Sequence, residues 1–257
     1  NIKDCMGHDI ATQLIRNKPG RNFNVIYGGG RKKFISKNII DDKGVRGERL
    51  DNLDLIDEWL EKKRSPAMYI SDRKSLLSMN HTAIENVLGL FAPSHLDYHL
   101  EENQQEPSLA EMTKSAIEIL SKNKNGFVLF VEGGKIDLAH HFNLARHALE
   151  ETEEFAEAVK TATEMTDEED TLIVVTADHS HTFTLSGYST RGEDILGKNT
   201  EKFDGKGEYL TVSYANGPSG GKSLKYNYDE KQISEQYLDY FIVTNFLVNL
   251  LNRKYQL

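Results

Sequence analysis

The chain has 257 residues, of which 38% are hydrophobic and 28% charged, and a formal net charge of −9. This composition is typical of soluble globular proteins and excludes an intrinsically disordered chain. The acidic balance argues against non-specific binding of nucleic acid, which requires a basic surface. A single cysteine, Cys5, excludes a disulfide within these residues, so the protein is either reduced or bonded through Cys5 to a cysteine outside them.

The first half of the chain alternates between helical and strand-like patterns. Apolar spacing and turn residues predict helices over 8–16 and 52–64, a strand ending at the glycines 28–30, a polar surface loop over 33–50 and a buried strand over 87–93. Ser108 with Glu111 three residues later has the capping-box pattern, which predicts the start of a further helix.

The central stretch, residues 127–183, predicts a β-α-β crossover. An apolar run begins at Phe127, and a second, 171–177, is apolar enough to be a strand covered on both faces. Between them, apolar residues from Leu138 onward predict one long helix, with acids that include Glu151 on its solvent side. Strands joined by such a crossover are parallel, so their carboxyl ends meet at one edge of the sheet, where ligands bind in open α/β sheets.

Acidic and imidazole side chains follow both predicted strands at that edge. Asp137 and His141 are four residues apart at a helix start and can share one ion, whereas Asp178 and His179 follow the second strand and Glu132 ends the first. Taken singly, each pair is more typical of a solvated helix face or strand end. Together they predict a metal site, and carboxylate with imidazole ligands favours zinc with magnesium. Multi-metal sites of this kind serve phosphate ester chemistry.

Three further histidines lie close in sequence to the predicted ligands. We expect His140 and His147 at the surface and His181 as a hydrogen-bonding partner behind a metal ligand.

Two motifs carry a resemblance to a known family. VEGGKIDLAHH and TADHSHTFTLSGYSTRG strongly resemble alkaline phosphatase, in particular the eukaryotic, membrane-anchored type and its insect members. The flanking segments fit as well: DIATQLI, VIYGGGRKKF, LGLFAP, PSLAEMT, EEDTLIVVTADHSH and NGP. The resemblance covers roughly residues 5–221. It implies an α/β sandwich with a largely parallel central sheet and helices on both faces, here in part.

The resemblance also implies a role for each candidate ligand. Glu132 would bind magnesium, Asp137 and His141 the first zinc, and Asp178 and His179 the second. For the calcium site of eukaryotic members, the resemblance implies the Phe91 carbonyl and Glu106, although Ala92 stands where a further carboxylate is expected.

Phosphate monoester hydrolysis through a phosphoserine is the implied reaction. The resemblance puts the serine nucleophile before the first residue of this chain, and a further zinc-binding histidine after His181, where the chain has none. We therefore expect a fragment that is inactive or nearly so alone. The predicted divisions are a partial α/β domain over 1–186, a partial crown-like region over 187–222, and a divergent tail over 223–257 that could form an amphipathic helix.

Two alternatives and several partners complete the expectations. The chain could be a non-catalytic family member that serves as a folded binding or dimerisation module, or a sulfatase-like hydrolase of the same superfamily, which the two motifs disfavour. The resemblance implies phosphate monoesters as substrates, a homodimer, and an extracellular glycoprotein held at the cell surface by a lipid anchor. Asn80, in the sequon Asn80-His81-Thr82, is the candidate glycosylation site.

Overall fold

A computed structural model describes residues 9–63, 66–101, 105–199 and 209–216 of the chain, together with the backbone of 247–252. The chain divides into two compact units. The first unit comprises residues 1–130, 157–173 and 249–257, and the second comprises 131–156 and 174–248. The predicted divisions at 186/187 and 222/223 stay predictions.

The described residues form six α-helices and ten strands. The helices are α1 (Ile10–Arg16), α2 (Leu55–Lys63), α3 (Arg73–Ser78), α4 (Leu109–Leu120), α5 (Gly134–His141) and α6 (Ala145–Met165). The strands are β1 (Val25–Gly28), β2 (Ala67–Ile70), β3 (Asn86–Leu90), β4 (Val128–Glu132), β5 (Thr171–Thr176), β6 (Phe183–Leu185), β7 (Lys198–Asn199), β8 (Tyr209–Leu210), β9 (Val212–Tyr214) and β10 (Leu247–Asn252).

A three-stranded parallel sheet forms the centre of the first unit. Its order is β1-β3-β2, and β3 is buried at every position, as the apolar run over 87–93 predicts. The core beside this sheet contains Trp59, which is 1% exposed, together with Leu55 and Leu88. The predicted α/β class with a parallel sheet is confirmed.

Side-chain caps set the starts of two helices. Asp9 accepts the backbone N–H of Thr12 at the start of α1. At α4, the Ser108 hydroxyl accepts the N–H of Glu111 while the Glu111 carboxylate accepts the N–H of Ser108, so both halves of the predicted capping box are present. The local sequence therefore marks where α4 begins.

The prediction that residues 33–50 lie at the surface is wrong for several of them. Phe34 and Ile35 are 6% and 3% exposed, and Arg49 is 7% exposed. The guanidinium of Arg49 contacts the Asp9 carboxylate, which holds the end of the loop against the start of α1. A charged side chain is expected to be exposed unless it finds an oppositely charged or hydrogen-bonding partner inside the protein.

Strand β5, which follows the crossover helices, is more exposed than its apolar composition predicts. β10 lies between β4 and β5 in a second three-stranded sheet. In β5 only Thr171 is buried, whereas Leu172 and Val175 are 56% and 50% exposed, so burial on both faces is not seen among the described residues. An apolar sequence reports a preference for burial, but burial also needs a neighbouring layer.

The described part of the tail over 223–257, for which an amphipathic helix was one possibility, is a strand. β10 spans Leu247–Asn252, and the rest of 223–257 lies outside the described residues.

The crossover contains two helices instead of the single long helix that we predicted. α5 ends at His141, and Asn143 takes the left-handed conformation with a φ of 60° before α6 begins at Ala145. An asparagine accepts this conformation more readily than most residues, which explains the break. Glu151 is buried and not on the solvent side, because it lies on the face of α6 that also buries Ala148 and Ala158.

Two antiparallel strand pairs follow β5 in the second unit. β6 pairs with β9, so that Phe183 lies opposite Tyr214, and β7 pairs with β8. Thr211 separates β8 from β9, and its N–H binds the Gly197 carbonyl. None of the helices in the described part of the chain combines the length and the hydropathy needed to cross a bilayer.

Candidate metal centre

Helix α5 places the first two predicted ligands. Its start lies two residues after β4, and Asp137 stands in its first turn, where a carboxylate interacts favourably with the helix dipole. His141 follows one turn later, and its Nε2 atom lies 3.3 Å from Oδ1 of Asp137. Asp137 is buried, whereas the His141 side chain is 54% exposed. The predicted pairing of these two side chains is therefore present in the folded chain.

The segment after β5 brings a second group of side chains to the same carboxylate. Nε2 of His181 lies 2.7 Å from Oδ1 of Asp137, and Nε2 of His179 lies 3.8 Å from the same oxygen. His179 also lies 3.7 Å from Oδ2 of Asp178, whose other oxygen accepts the His179 backbone N–H. Residues about 40 positions apart in sequence thus meet at one carboxylate, as the crossover predicts.

The distances separate two kinds of contact around Asp137. Zinc–nitrogen and zinc–oxygen bonds are about 2.0–2.2 Å long, so two ligand atoms on one tetrahedral zinc lie about 3.3–3.5 Å apart. The 3.3 Å between His141 and Asp137 matches two ligands of one ion. The 2.7 Å between His181 and Asp137 is instead the length of a strong hydrogen bond.

Glu132 lies at the carboxyl end of β4, beside the two glycines that precede α5. Its Oε1 atom is shielded from solvent. A Cβ atom at Gly133 would lie 3.1 Å from the Phe155 ring and 3.3 Å from Ile136, closer than most side chains tolerate. A Cβ atom at Gly134 would meet nothing nearer than Glu132 Oε1, at 3.7 Å. Gly133 is therefore the position where the backbone needs the absence of a side chain.

The prediction that His140 lies at the surface is wrong. Its ring stacks on that of His181, with centroids 4.8 Å apart, and its Nδ1 atom lies 2.8 Å from the Tyr214 hydroxyl. Burial and the neighbouring His181 imidazole lower the pKa of His140 to about 4, so this ring is neutral at pH 7. Sequence alone offered no signal for this contact, because Tyr214 is 74 residues away.

The remaining sequence-predicted residues are Phe91, Glu106, His147 and Asn80. Phe91 and Glu106 belong to the first unit, where Phe91 is buried and Glu106 accepts the N–H of Asp97. His147 lies on α6 and is half-buried. Asn80 is exposed, and its Oδ1 atom accepts the hydroxyl of Thr82 at 2.7 Å.

Comparison with known proteins identifies the family. A family model described as alkaline phosphatase matches residues 2–240. The chain belongs to the alkaline phosphatase family. It is 47% identical over 214 residues to the membrane-bound alkaline phosphatase of Bombyx mori, covering 82% of this chain and 39% of that protein. It is 44% identical to the human tissue-nonspecific isozyme over 219 residues, which covers 82% of this chain and 41% of the isozyme.

Solved alkaline phosphatases share the fold. The cold-active enzyme of Shewanella sp. has a TM-score of 0.51 and 27% identity, covering 71% of this chain and 38% of that one. The Thermus thermophilus enzyme has a TM-score of 0.53 and 28% identity, covering 65% of this chain and 33% of that one. The family resemblance read from the two motifs is confirmed. The chain spans about two fifths of the length of the curated relatives described above.

Proposed function

We propose that this chain supplies the zinc- and magnesium-binding part of a phosphate monoesterase. Asp137 and His141 hold the first zinc, and Asp178 and His179 hold the second. Glu132 supplies a carboxylate to magnesium. When bound, a pair of divalent ions activates the attacking oxygen and stabilises the leaving oxygen of a phosphate ester.

One observation carries the proposal: Asp137 lies within ligand or hydrogen-bond distance of imidazoles from two separate segments. Ligand atoms of Asp137, His141 and His181 all lie within 4.8 Å of one another. Carboxylate and imidazole donors without thiolate are the set that catalytic zinc sites use. The residues therefore fit the metal that the family uses, with His141 as the partner of Asp137 on the ion.

His181 acts behind the metal site, as a positioning residue. Its Nε2 atom lies 2.7 Å from Oδ1 of Asp137, so the imidazole donates a hydrogen bond that fixes the carboxylate. Such a partner restrains the carboxylate that binds the ion and keeps its charge in place. His141 and His179 are about half exposed, with side chains 54% and 48% accessible, which leaves them reachable from solvent.

The nucleophile is assigned to no residue of this chain. We expect the chain alone to bind zinc and to hydrolyse aryl phosphates slowly or not at all.

For the calcium site, Phe91 and Glu106 remain candidates, and the same chain loaded with calcium would test them through a change in thermal stability.

Zinc affinity, measured by competition with a chromogenic chelator, tests the ligand assignment. We expect Asp137→Ala and Asp178→Ala each to remove about one zinc per chain, while Asp97→Ala, an acid in the first unit, leaves the stoichiometry unchanged. Undiminished zinc content in both site variants would refute the assignment. Aryl phosphate turnover in the wild-type chain that depends on zinc and disappears in both variants would refute only the expectation of inactivity.

The non-catalytic alternative makes a different prediction for the same measurement. A chain that serves only as a binding or dimerisation module would stay folded and lose its zinc on dialysis.

A homodimer, a glycan on Asn80, a lipid anchor and an extracellular location are further parts of the proposal. Sedimentation analysis of the purified chain and mass spectrometry of secreted material would test the first two.

A further inference from the structure

A cluster of aromatic rings lies directly behind His181 in the second unit. It consists of His140 on α5, Phe183 on β6 and Tyr214 on β9. The His140 ring stacks on His181 with centroids 4.8 Å apart and planes 29° from parallel. It meets Phe183 edge-on at 5.2 Å and Tyr214 at 5.7 Å. His140 is therefore held on several sides, and its own ring covers one face of His181.

The Tyr214 hydroxyl fixes the rotation of the His140 ring. Its oxygen lies 2.8 Å from Nδ1 of His140, and Tyr214 itself is 8% exposed. Tyr214 lies opposite Phe183 in the β6–β9 pair, where their rings contact at 5.3 Å. A hydroxyl on a buried ring in a paired strand has little freedom to move, so the hydrogen bond defines one orientation of the imidazole.

A second link ties the same strand pair to the end of α5. The Thr182 hydroxyl donates to the Asn216 amide oxygen, and the Asn216 amide donates to the side chain of Asn143. Asn143 is buried and ends the turn between α5 and α6. The segment around His181 is thus attached to α5 at two places: through Tyr214 and His140, and through Asn216 and Asn143.

We propose that Tyr214 and His140 are positioning residues that orient His181 and, through it, the Asp137 carboxylate. The order of contacts is Tyr214 hydroxyl to His140, His140 ring to His181 ring, and His181 Nε2 to Asp137 Oδ1. This inference rests on the proposed function, since it gives the pair a role only if Asp137 binds zinc. The pair sets the affinity and geometry of the zinc site without touching the ion.

His140 is also outside the group of described side chains whose ligand atoms come together at Asp137. Its Nδ1 atom is directed to Tyr214, and its ring lies flat against His181. The ring therefore acts as a spacer of fixed orientation. A phenylalanine would preserve the stacking and lose the hydrogen bond, which makes the two contributions separable.

The experiment measures zinc affinity of the full chain by chelator competition, and the visible spectrum of the cobalt(II) form. Tyr214→Phe removes one oxygen atom, and we expect zinc binding to weaken about 3- to 10-fold, less than the 10- to 100-fold typical of direct partners of metal ligands, because Tyr214 acts one contact further away. We expect a changed cobalt(II) spectrum, because ligand geometry determines it. Tyr188→Phe, at a side chain that is 82% exposed, is the matched control and should change neither.

A double-mutant cycle distinguishes positioning from a general loss of stability. If Tyr214 acts through His140, Tyr214→Phe combined with His140→Phe should weaken zinc binding no more than either change alone. Additive losses would overturn the proposal, as would zinc affinity and a cobalt(II) spectrum equal to those of the wild type in both single variants. His140→Phe gives the same answer if Tyr214→Phe does not fold.

The proposed function can fail separately. Zinc binding that is unaffected by Asp137→Ala refutes the ligand assignment and this inference together. Zinc binding lost in Asp137→Ala but normal in Tyr214→Phe and His140→Phe refutes the inference alone.

Discussion

Two charged clusters, one in each unit, show opposite ways of holding a carboxylate. In the first unit, the guanidinium of Arg49 donates to both oxygens of Asp9 and to Asp51, and also to the Thr12 hydroxyl and the Lys33 carbonyl. Burial alone would raise the pKa of Asp9, but hydrogen bonds from Arg49 and Thr12 outweigh it and lower that pKa to about 2. This cluster contains its own permanent cation.

The second cluster surrounds its carboxylate with imidazoles instead. Asp137 is buried and faces His141, His179 and His181, and none of these carries the fixed positive charge of a guanidinium. A neutral imidazole offers a lone pair that an ion can use. A carboxylate paired with an arginine already has its charge neutralised within the protein, whereas one among neutral histidines can still bind a cation.

The strongest effect is predicted for loss of the negative charge at the second cluster. Asp137→Asn keeps the size and a hydrogen-bond acceptor but removes the charge, so we expect zinc affinity to fall more than 100-fold, beyond the range for partners of ligands. Zinc at 100 times its dissociation constant should stabilise the wild-type chain by about 2.7 kcal/mol and the variant hardly at all. Chemical denaturation with and without zinc measures both. Equal stabilisation of the two chains would contradict the comparison.

At the first cluster we expect a mutation to lower the stability of the fold and to leave zinc binding unchanged. Arg49→Met removes the cation and leaves Asp9 and Asp51 without it, so the free energy of unfolding should fall by about 2–3 kcal/mol, less than for a fully buried pair because both carboxylates are partly exposed. Urea denaturation measures this. Zinc binding by the folded variant should be unchanged. Lys32→Met, in an exposed pair with Glu48, is the control and should cost less than about 1 kcal/mol.

Local signals predicted the elements that frame both clusters. The capping box at Ser108 and the apolar runs of β3 and β4 depend on neighbours close in sequence, and the cap and both strands are present, although Val128 and Phe130 of β4 are 64% and 58% exposed where burial was expected. The meeting of Asp137 with His179 could also be predicted, because a crossover brings the two carboxyl ends to one edge. In each of these cases the residues that determine the structure are close in sequence or belong to one crossover motif, so the sequence pattern is sufficient to predict it.

Contacts between distant residues could not be predicted in the same way. The burial of Arg49 depends on Asp9, 40 residues earlier, and the orientation of His140 depends on Tyr214. The break at Asn143 was not predicted either, and the buried face of α6 contains Glu151 with Ala148 and Ala158. Successive residues of a helix differ by about 100°, so an apolar stripe chosen one residue away gives the wrong face.

A smaller change in unfolding free energy is expected at the start of α5, where an alanine in place of Gly133 tests how closely the backbone is packed. Gly133→Ala would place a Cβ atom 3.1 Å from Phe155, so we expect a loss of about 1–2 kcal/mol in unfolding free energy and weaker zinc binding. Gly134→Ala is the matched control: its Cβ atom has room, and alanine favours the helix by up to about 1 kcal/mol. The comparison fails if both alanines have the same effect on stability.

The weakest effect is predicted for the ion pair between Arg16 and Glu58 in the first unit, which low pH should remove. A side-chain hydrogen bond from Arg16, assisted by Lys62 against the opposing effect of burial, lowers the pKa of Glu58 to about 2. Because the folded pKa lies below the unfolded value near 4.3, the pair stabilises the fold above about pH 4.5, and this contribution disappears as the pH falls toward 2.

Glu58→Gln measures that contribution directly. At pH 6 we expect the variant to unfold about 1 kcal/mol more easily than the wild type, the upper end for a partly exposed pair. At pH 2.5 the difference should have largely disappeared, because the wild-type carboxylate is then losing its charge as well. Arg16→Gln should show the same dependence. A deficit of equal size at both pH values would mean that the side chain stabilises by packing, and that the carboxylate of Glu58 differs from that of Asp9 in more than its degree of exposure.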